Sequence, residues 1–147
     1  LNRYDTSQVA TPCASSWGFK GYNDYWLNES NAWTYRHLHV AGERMVELAR
    51  RHPNADPLTT RALNQAAREL MLAQSSDWTF IMKTGTTVPY ATRRINQHIL
   101  QFNKIYDDVR ANKLQAASND TATVRWLADI EARDNIFPNI DYRIYAS

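Results

Sequence analysis

Apolar residues in the middle of this chain recur every three to four positions, which is the spacing of one face of an α-helix. The clearest run follows Gly85 and Pro89, a pair typical of a helix start. Its apolar face comprises Ala91, Ile95, His98, Ile99, Phe102, Ile105, Tyr106 and Val109. This face continues for about five turns. The spacing therefore predicts that the longest helix lies here.

The same spacing predicts three further helices, at residues 30–53, 57–71 and 121–133. Asp56 is placed to cap the second of them, and Pro57 suits its first position. Residues 74–78, with the sequence Gln-Ser-Ser-Asp-Trp, are predicted to form a break before the longest helix. The pattern thus predicts an all-α fold, a small bundle of about four helices.

The two ends of the chain lack a helical period. Residues 1–29 are rich in Ser, Gly, Asn and aromatic side chains, so we expect an ordered aromatic loop. Pro138 cannot continue a helix, so residues 134–147 are expected to form an extended strap. We interpret residues 1–147 as a single helical domain.

Composition narrows the class of protein. The chain has 147 residues, of which 44% are hydrophobic and 22% charged, as in one water-soluble globular domain. The net charge of +2 is spread without a basic block, so neither nucleic acid nor a membrane is an expected partner. Cys13 is the only cysteine and cannot form an intrachain disulfide, which favours a reducing, cytoplasmic location.

Aromatic residues are concentrated near the start of the first helix. Seven of the 17 aromatic residues lie between Trp17 and Tyr35. Gly18 and Gly21 interrupt any helical or strand period there, and Asn23 lies among the rings. A loop of this kind suits a sugar, whose C–H face packs on an indole while its hydroxyls bond to polar side chains. The structural alternative is an aromatic cluster that pins the loop to the domain.

Few residues are candidates for catalysis or metal binding. The candidates by residue type are the carboxylates Asp24, Glu29 and Asp77. A retaining glycosidase needs two carboxyl groups roughly 5–5.5 Å apart, and no motif here indicates such a pair. His37 and His39 are two positions apart and point to different sides of a helix, so they cannot share a metal. His37 and His98 fall on apolar faces and are predicted to be core histidines. We therefore expect no catalytic residue, metal or cofactor within the chain, which leaves a binding or cleft-completing domain.

Several motifs in series carry a resemblance to a known family. They cover nearly the whole chain in order: Ser15-Ser16-Trp17-Gly18, Gly21-Tyr22-Asn23, Trp26-Leu27-Asn28, Trp33-Thr34-Tyr35-Arg36, Leu63-Asn64-Gln65-Ala66-Ala67-Arg68-Glu69-Leu70, Ala73-Gln74-Ser75-Ser76-Asp77-Trp78, Thr84-Gly85-Thr86 and Asn135-Ile136-Phe137-Pro138-Asn139-Ile140-Asp141-Tyr142-Arg143. The sequence closely resembles the C-terminal helical domain of the glycoside hydrolase family fifty-seven 1,4-α-glucan branching enzymes.

The resemblance implies a function for the whole enzyme. In that family an N-terminal barrel of the same polypeptide supplies a Glu nucleophile and an Asp acid/base, which move a segment of an α-1,4-glucan such as amylose or a glycogen-like chain to a 6-hydroxyl. The helical domain closes over the cleft and no cofactor takes part. Trp17 and Trp26 match two cleft tryptophans of the family, and Asp77 and Trp78 match a segment that reaches toward the sugar.

Other interpretations also fit the sequence. The chain could be a free-standing carbohydrate-binding module, or a helical protein-interaction domain whose exposed rings form a docking face. A related α-glucan amylase or glucanotransferase of the same family is a further alternative to a branching enzyme. Phe19 and Lys20 also depart from the small or acidic spacer expected between the two glycines, which predicts an altered cleft rim.

Overall fold

The all-α prediction is confirmed by a computed structural model, which describes residues 10–114 and 121–147. Residues 1–9 of the predicted loop and 115–120 of the polar stretch before the last helix lie outside the described residues. Within the described part there is no strand, and the α-helices are α1 (Ala32–Arg51), α2 (Pro57–Ala73), α3 (Ser76–Thr84), α4 (Val88–Arg110) and α5 (Ala122–Arg133).

The start of α2 forms as its sequence predicts. The Asp56 carboxylate accepts from the backbone N–H groups of Leu58 and Thr59, each at 3.0 Å. The Thr59 hydroxyl also donates to Asp56, and these bonds hold the pKa of the carboxyl below its usual value. Pro57 occupies the first helical position, where no N–H is needed.

The core lies between α1, α2 and α4. Met45, Leu63 and Phe102 are fully buried at its centre. A second cluster, which includes Met82, Ala91 and Ile95, fills the space between α3 and α4. Trp33 and Trp126 pack half-buried against these clusters, in line with a structural role.

The predicted break at residues 74–78 is shorter than expected. Gln74 and Ser75 separate α2 from α3, and α3 then begins at Ser76. Asp77 and Trp78 therefore lie in the first turn of a helix. The helix is only nine residues long and ends at Gly85, whose φ of 81° is left-handed. So short a helix has too few turns to show a clear apolar period.

The C-terminal segment folds back over the bundle. Arg68 of α2 donates to the backbone carbonyls of Ile136 at 2.9 Å and Pro138 at 3.0 Å. The buried Tyr142 donates its hydroxyl to the carbonyl of His52, at the end of α1. The end of the predicted extended strap is instead a 3₁₀ helix, at Tyr142–Ala146, because the Asp141 side chain caps it.

Each helix in the described part of the chain is too short or too polar to cross a lipid bilayer.

Candidate functional site

A tight turn shapes the loop before α1. The Ser16 N–H donates to the Gly21 carbonyl at 2.7 Å, and the Gly21 N–H donates to Gly18 at 3.1 Å. Gly18 has a φ of 118°, which side chains rarely adopt, and a Cβ there would lie 2.4 Å from the Tyr25 ring. Only glycine fits at this position. The close approach of the Tyr25 ring to Gly18 places that ring beside Trp17.

Four rings form an aromatic cluster at the end of this loop: Trp17, Tyr25, Trp26 and Phe80. The centroids of the two indoles are 6.4 Å apart. Phe80, from α3, lies 5.3 Å from Tyr25 and about equally far from each indole, at 6.0 and 6.1 Å. The Trp17 side chain remains 70% exposed. The structure therefore brings the two predicted tryptophans together at the protein surface.

Trp26 is held at both ends. Its indole Nε1–H donates to the Ser16 hydroxyl at 2.6 Å. Its backbone carbonyl accepts from the Tyr35 hydroxyl of α1. Burial raises the pKa of Tyr35, so that phenol stays protonated and remains a donor at neutral pH. The first bond orients the indole, and the second holds the backbone of Trp26 against α1.

A small pocket lies beside Trp26, which we call the Trp26 pocket. It has a volume of about 130 Å³, with Trp26 and Tyr35 among its walls. The buried side chains of Ala73, Thr79 and Ile95 line its interior. Gln74 and Ser76, both exposed, also line it and place it at the junction of α2 and α3.

Asp77 lies on the same face of α3 as Phe80, three residues later. Its carboxylate is exposed and accepts from the Ser75 hydroxyl at 2.7 Å. It therefore lies on the side of α3 that carries the aromatic cluster, where a free carboxylate oxygen can accept from a hydroxyl.

Trp78 is oriented differently from the two loop tryptophans. Its Nε1–H donates to the Leu72 carbonyl at 2.7 Å. Its ring packs edge-on against Tyr90, at 6.0 Å between centroids, and parallel to His98 at 6.5 Å. The half-buried ring thus connects the start of α3 to α4, the position of a supporting residue. Its contact with a sugar stays a prediction.

Phe80 is the member of the cluster that the sequence does not reveal. No motif distinguishes it from an ordinary core residue of a short helix. The signal that could have found it is the position three residues after Asp77, which puts both on one face of α3. On α3, Phe80 is the ring that both loop tryptophans contact.

A buried polar network lies apart from the cluster. His98 Nδ1 is 2.6 Å from a Glu69 carboxylate oxygen, which also accepts from Gln101 at 2.7 Å. The Gln101 amide also donates to Asp134 at 3.2 Å. His98 is thus a core histidine with a partner, as predicted, although its buried Nε2 has none among the described residues. In contrast, His37 is only half-buried, because α1 leaves it beside Arg36 and the edge of Trp33.

The same network contains the one group of three potential metal ligands found in the described residues. Donor atoms of Glu69, His98 and Asp134 lie within 4.8 Å of one another. The Gln101 N–H donors point at both carboxylates, and Arg133 donates to Asp134 at 3.1 Å. These carboxylates already accept bonds from the protein, so their arrangement fits a structural network that joins α2, α4 and the end of α5.

The charged state of Asp134 depends on this network. Burial alone would raise its pKa, but the bonds from Gln101 and Arg133 and the positive charge of Arg133 outweigh it. The pKa of Asp134 is therefore lower than usual. Asp134 stays ionised at neutral pH and pairs with Arg94 as well, at 3.4 Å.

Comparison with known proteins decides the family. The family model described as 1,4-alpha-glucan branching enzyme, C-terminal, matches residues 37–145. The chain belongs to this family. The resemblance carried by the sequence motifs is thereby confirmed.

Relatives of this chain include proteins of known structure. The 1,4-alpha-glucan branching enzyme TK1436 of Thermococcus kodakarensis is 35% identical over 133 residues, which cover 90% of this chain and 19% of that protein. The structure of a GH57-type branching enzyme from Pyrococcus horikoshii matches with a TM-score of 0.83 and 33% identity, over 98% of this chain and 26% of the other. The structure of the α-amylase AmyC of Thermotoga maritima matches with a TM-score of 0.77 and 41% identity, over 99% of this chain and 25% of the other.

The matching domain is a minor part of these relatives. The chain spans about a fifth to a quarter of the length of each. Of the carboxylates singled out in the sequence, Asp24 directly precedes Tyr25 of the cluster and Asp77 lies three residues before Phe80, and both are exposed.

Proposed function

We propose that this chain forms one wall of the substrate cleft in a 1,4-α-glucan branching enzyme, with Trp17 and Trp26 stacking against glucose units. In this proposal a Glu and an Asp outside the chain cut an α-1,4 bond and form a covalent glycosyl intermediate. The cut segment then passes to the 6-hydroxyl of an acceptor, with no cofactor. The chain itself supplies binding and no reacting group.

The aromatic cluster carries this proposal. Its indoles lie 6.4 Å apart between centroids, and Trp17 is mostly exposed. Flat rings give a large contact area at a low entropic cost, and they suit the C–H face of a pyranose ring. A ring cluster that served only to fill the core would hide Trp17. The exposure of Trp17 therefore favours a binding role over the purely structural alternative.

Polar groups beside the cluster suit the hydroxyls of the same sugar. The Asp77 carboxylate is exposed on the face of α3 that carries Phe80. It accepts one bond from Ser75 and has capacity for others, since an ionised carboxylate has about four acceptor sites. We assign Asp77 the role of hydroxyl acceptor. We assign Trp78 a supporting role at the edge of the glucan site, since its indole N–H is already bonded to Leu72.

The partners follow from the same proposal. The substrate is an α-1,4-glucan such as amylose or a glycogen-like chain, which places the enzyme in storage-glucan synthesis. A catalytic barrel of the same polypeptide covers the exposed rings from the other side. The exposed thiol of Cys13 is consistent with a reducing, cytoplasmic environment.

Relatives support branching as the reaction. Both the matching family model and two of the relatives are described as branching enzymes, and TK1436 has been solved in complex with glucose. AmyC is described as an α-amylase, so the helical domain also occurs beside that activity. An enzyme of either kind would use the same stacking surface.

The test uses the full-length protein that carries this chain. Trp17→Ala should lower amylose branching by about tenfold or more, because a stacked aromatic anchor contributes at least ~1.4 kcal/mol. Phe137→Ala is the matched control, since Phe137 is an exposed ring of the C-terminal segment, outside the cluster. Near-normal branching by Trp17→Ala and Trp26→Ala would remove the proposal.

A second measurement separates the alternatives. Titrating the 147-residue chain with maltoheptaose should show weak binding or none, because half a cleft holds a sugar on one side only. Submillimolar binding would favour a free-standing carbohydrate-binding module. Loss of branching in Trp17→Ala with unchanged glucan affinity would favour a docking face for the barrel.

A further inference from the structure

A groove with a positively charged lining, which we call the arginine groove, lies between α1 and α4. Its lining comprises Arg36, His37, Val40 and Arg44 of α1 with Ile99 and Asn103 of α4. Arg36 and Val40 are exposed and Ile99 is buried, so the groove opens to the surface above a buried floor. Among the described residues, it shares none with the aromatic cluster or with the lining of the Trp26 pocket.

The two arginines of this groove carry charges that no carboxylate pairs with in the described part of the chain. Arg36 Nε donates to His37 Nε2 at 3.3 Å, and Arg44 Nη1 donates to the Asn103 amide oxygen at 2.6 Å. The arginines that do meet a carboxylate lie elsewhere: Arg51, Arg61, Arg94, Arg133 and Arg143. The groove therefore presents uncompensated positive charge to the surface.

Acidic residues near the groove are either engaged or absent from its lining. The Glu47 carboxylate accepts from the Tyr106 hydroxyl at 2.8 Å and pairs with Arg51 at 3.2 Å. Glu43 and Asp107 are exposed and do not line the groove. An anion in the groove would thus meet two cations and no lining carboxylate among the described residues.

Arg44 is oriented by its surroundings before any ligand arrives. Its guanidinium carbon lies 4.6 Å from the centroid of the Tyr106 ring. That ring is buried, and its hydroxyl donates to Glu47 and accepts from Arg110 at 3.1 Å. Because Asn103 holds one Nη as well, the other N–H groups keep a fixed direction. A guanidinium held in this way loses little entropy when it binds an anion.

We infer that the arginine groove binds a phosphate group, either as free phosphate or as a phosphate monoester of a small molecule. Arg36 and Arg44 supply two positive charges, and a phosphate monoester carries about −1.5 to −2 near pH 7. The planar fork of a guanidinium matches two phosphate oxygens at a time. This site goes beyond the proposed function, which needs no anion.

The number of free donors favours phosphate over a carboxylate. Within the described residues, the Asn103 amide N–H groups make no hydrogen bond. Because His37 Nε2 accepts from Arg36, the other ring nitrogen of His37 carries the proton and is a donor. Two guanidinium forks, an amide and an imidazole N–H thus line the groove. A phosphate group offers three or more oxygens to these donors, whereas a carboxylate offers two.

The size of the groove suits a small ligand. Its volume is about 260 Å³, just below the roughly 300–1,000 Å³ of sites for drug-sized ligands. Val40 and Ile99 form an apolar wall beside the polar groups. A monoester would place its phosphate at the arginines and its carbon skeleton against this wall, whereas inorganic phosphate would leave the wall unused.

The test measures binding to the full-length protein by calorimetry in a phosphate-free buffer, with inorganic phosphate and glucose 6-phosphate as the two probes. We expect a Kd of about 1 mM or tighter for at least one of them. Equal affinities would identify free phosphate as the ligand, and tighter binding of glucose 6-phosphate would identify a monoester. Affinity should fall as salt is added, because salt screens exposed charges.

Variants of the two arginines place the binding in the groove. Arg44→Gln should weaken phosphate binding by about tenfold or more, and Arg36→Gln by about threefold to tenfold, because each removes a charged donor. Arg93→Gln is the matched control, since it removes an exposed positive charge of α4 that lies over Tyr90, outside the groove. Arg36 is exposed, so Arg36→Gln should melt close to wild type even if loss of the contact between Arg44 and Tyr106 destabilises Arg44→Gln.

Three results would overturn the inference. The first is that neither probe binds to wild type, and the second is that Arg36→Gln and Arg44→Gln both bind as Arg93→Gln does. The third is a crystal structure of the full-length protein in which an Asp or Glu side chain from outside this chain fills the groove. Trp17→Ala should bind inorganic phosphate like wild type, so failure of the stacking proposal would leave this measurement valid.

Discussion

The Ser16 hydroxyl joins the two tryptophans of the aromatic cluster: it accepts from the Trp26 indole at 2.6 Å and donates to the Trp17 carbonyl at 3.2 Å. Ser16→Ala should weaken glucan binding by about threefold to tenfold, because it frees the indole of Trp26 and removes a bond that contributes about 1 kcal/mol. Affinity for maltoheptaose, measured in the full-length protein, checks this. Ser16→Thr keeps a hydroxyl and should restore much of the binding. Equal affinities for Ser16→Ala and wild type would show that the bond has no part in binding.

Gly18 should tolerate no side chain. A Cβ there would approach the Tyr25 ring to 2.4 Å, and the φ of 118° is strained for any other residue. Gly18→Ala should displace Tyr25 and disturb the cluster, so glucan affinity should fall by about tenfold while the helix content stays unchanged. Near-ultraviolet circular dichroism, which reports on the tryptophan environment, should change together with the affinity. An unchanged near-ultraviolet spectrum would contradict this account of the turn.

Gly42 provides the opposite case. It lies within α1, where a Cβ would meet no atom within 4 Å. Gly42→Ala should stabilise the fold by about 0.5–1 kcal/mol, because glycine loses more backbone entropy than alanine when a helix forms. Urea unfolding measures the change. A destabilised Gly42→Ala protein would mean that α1 packs more tightly there than its surroundings indicate.

Glu69 is fully buried and accepts bonds from Gln65, His98 and Gln101. Glu69→Ala should lower the free energy of unfolding by about 3–5 kcal/mol, because it leaves buried donors without a partner. The control is Glu43→Ala, at an exposed site on α1, which should change stability by less than about 0.5 kcal/mol. Similar values for the two variants would show that the network contributes little.

Acid should weaken the same network through Asp134. The pKa of Asp134 is lower in the folded protein than its unfolded value of about 3.9. Its contribution to stability is therefore complete above pH ~4, and it is lost as the pH falls through the lower, folded pKa. Asp134→Asn should be less stable than wild type at pH 7, and this difference should shrink at pH 3. The exposed Asp129→Asn should follow wild type at both values.

The helices were predictable where a long apolar period fixes one buried face. The run from Ala91 to Val109 has enough turns for that, and α4 forms there as predicted. The cap at Asp56 was equally clear, because it depends only on neighbouring residues. α3 was not predicted, since nine residues show too little of a period, and its packing against α4 depends on the rest of the fold.

The site was predictable in part, for a related reason. Trp17 and Trp26 stand out because their motif and spacing are local properties of the sequence. Phe80 and the buried Glu69 do not stand out, because a lone phenylalanine indicates only core and a carboxylate usually indicates solvent. Both acquire their roles from contacts with distant segments, which one sequence does not encode in a visible pattern.

Phe80 gives the loop a dependence on α3 that its own sequence does not suggest. Three of the four rings come from residues before α1, yet each of them lies against this one side chain. Local opening of the nine-residue α3 would release the rings while α2 and α4 stay folded. On the proposed function, warming should therefore weaken glucan binding before the bundle melts.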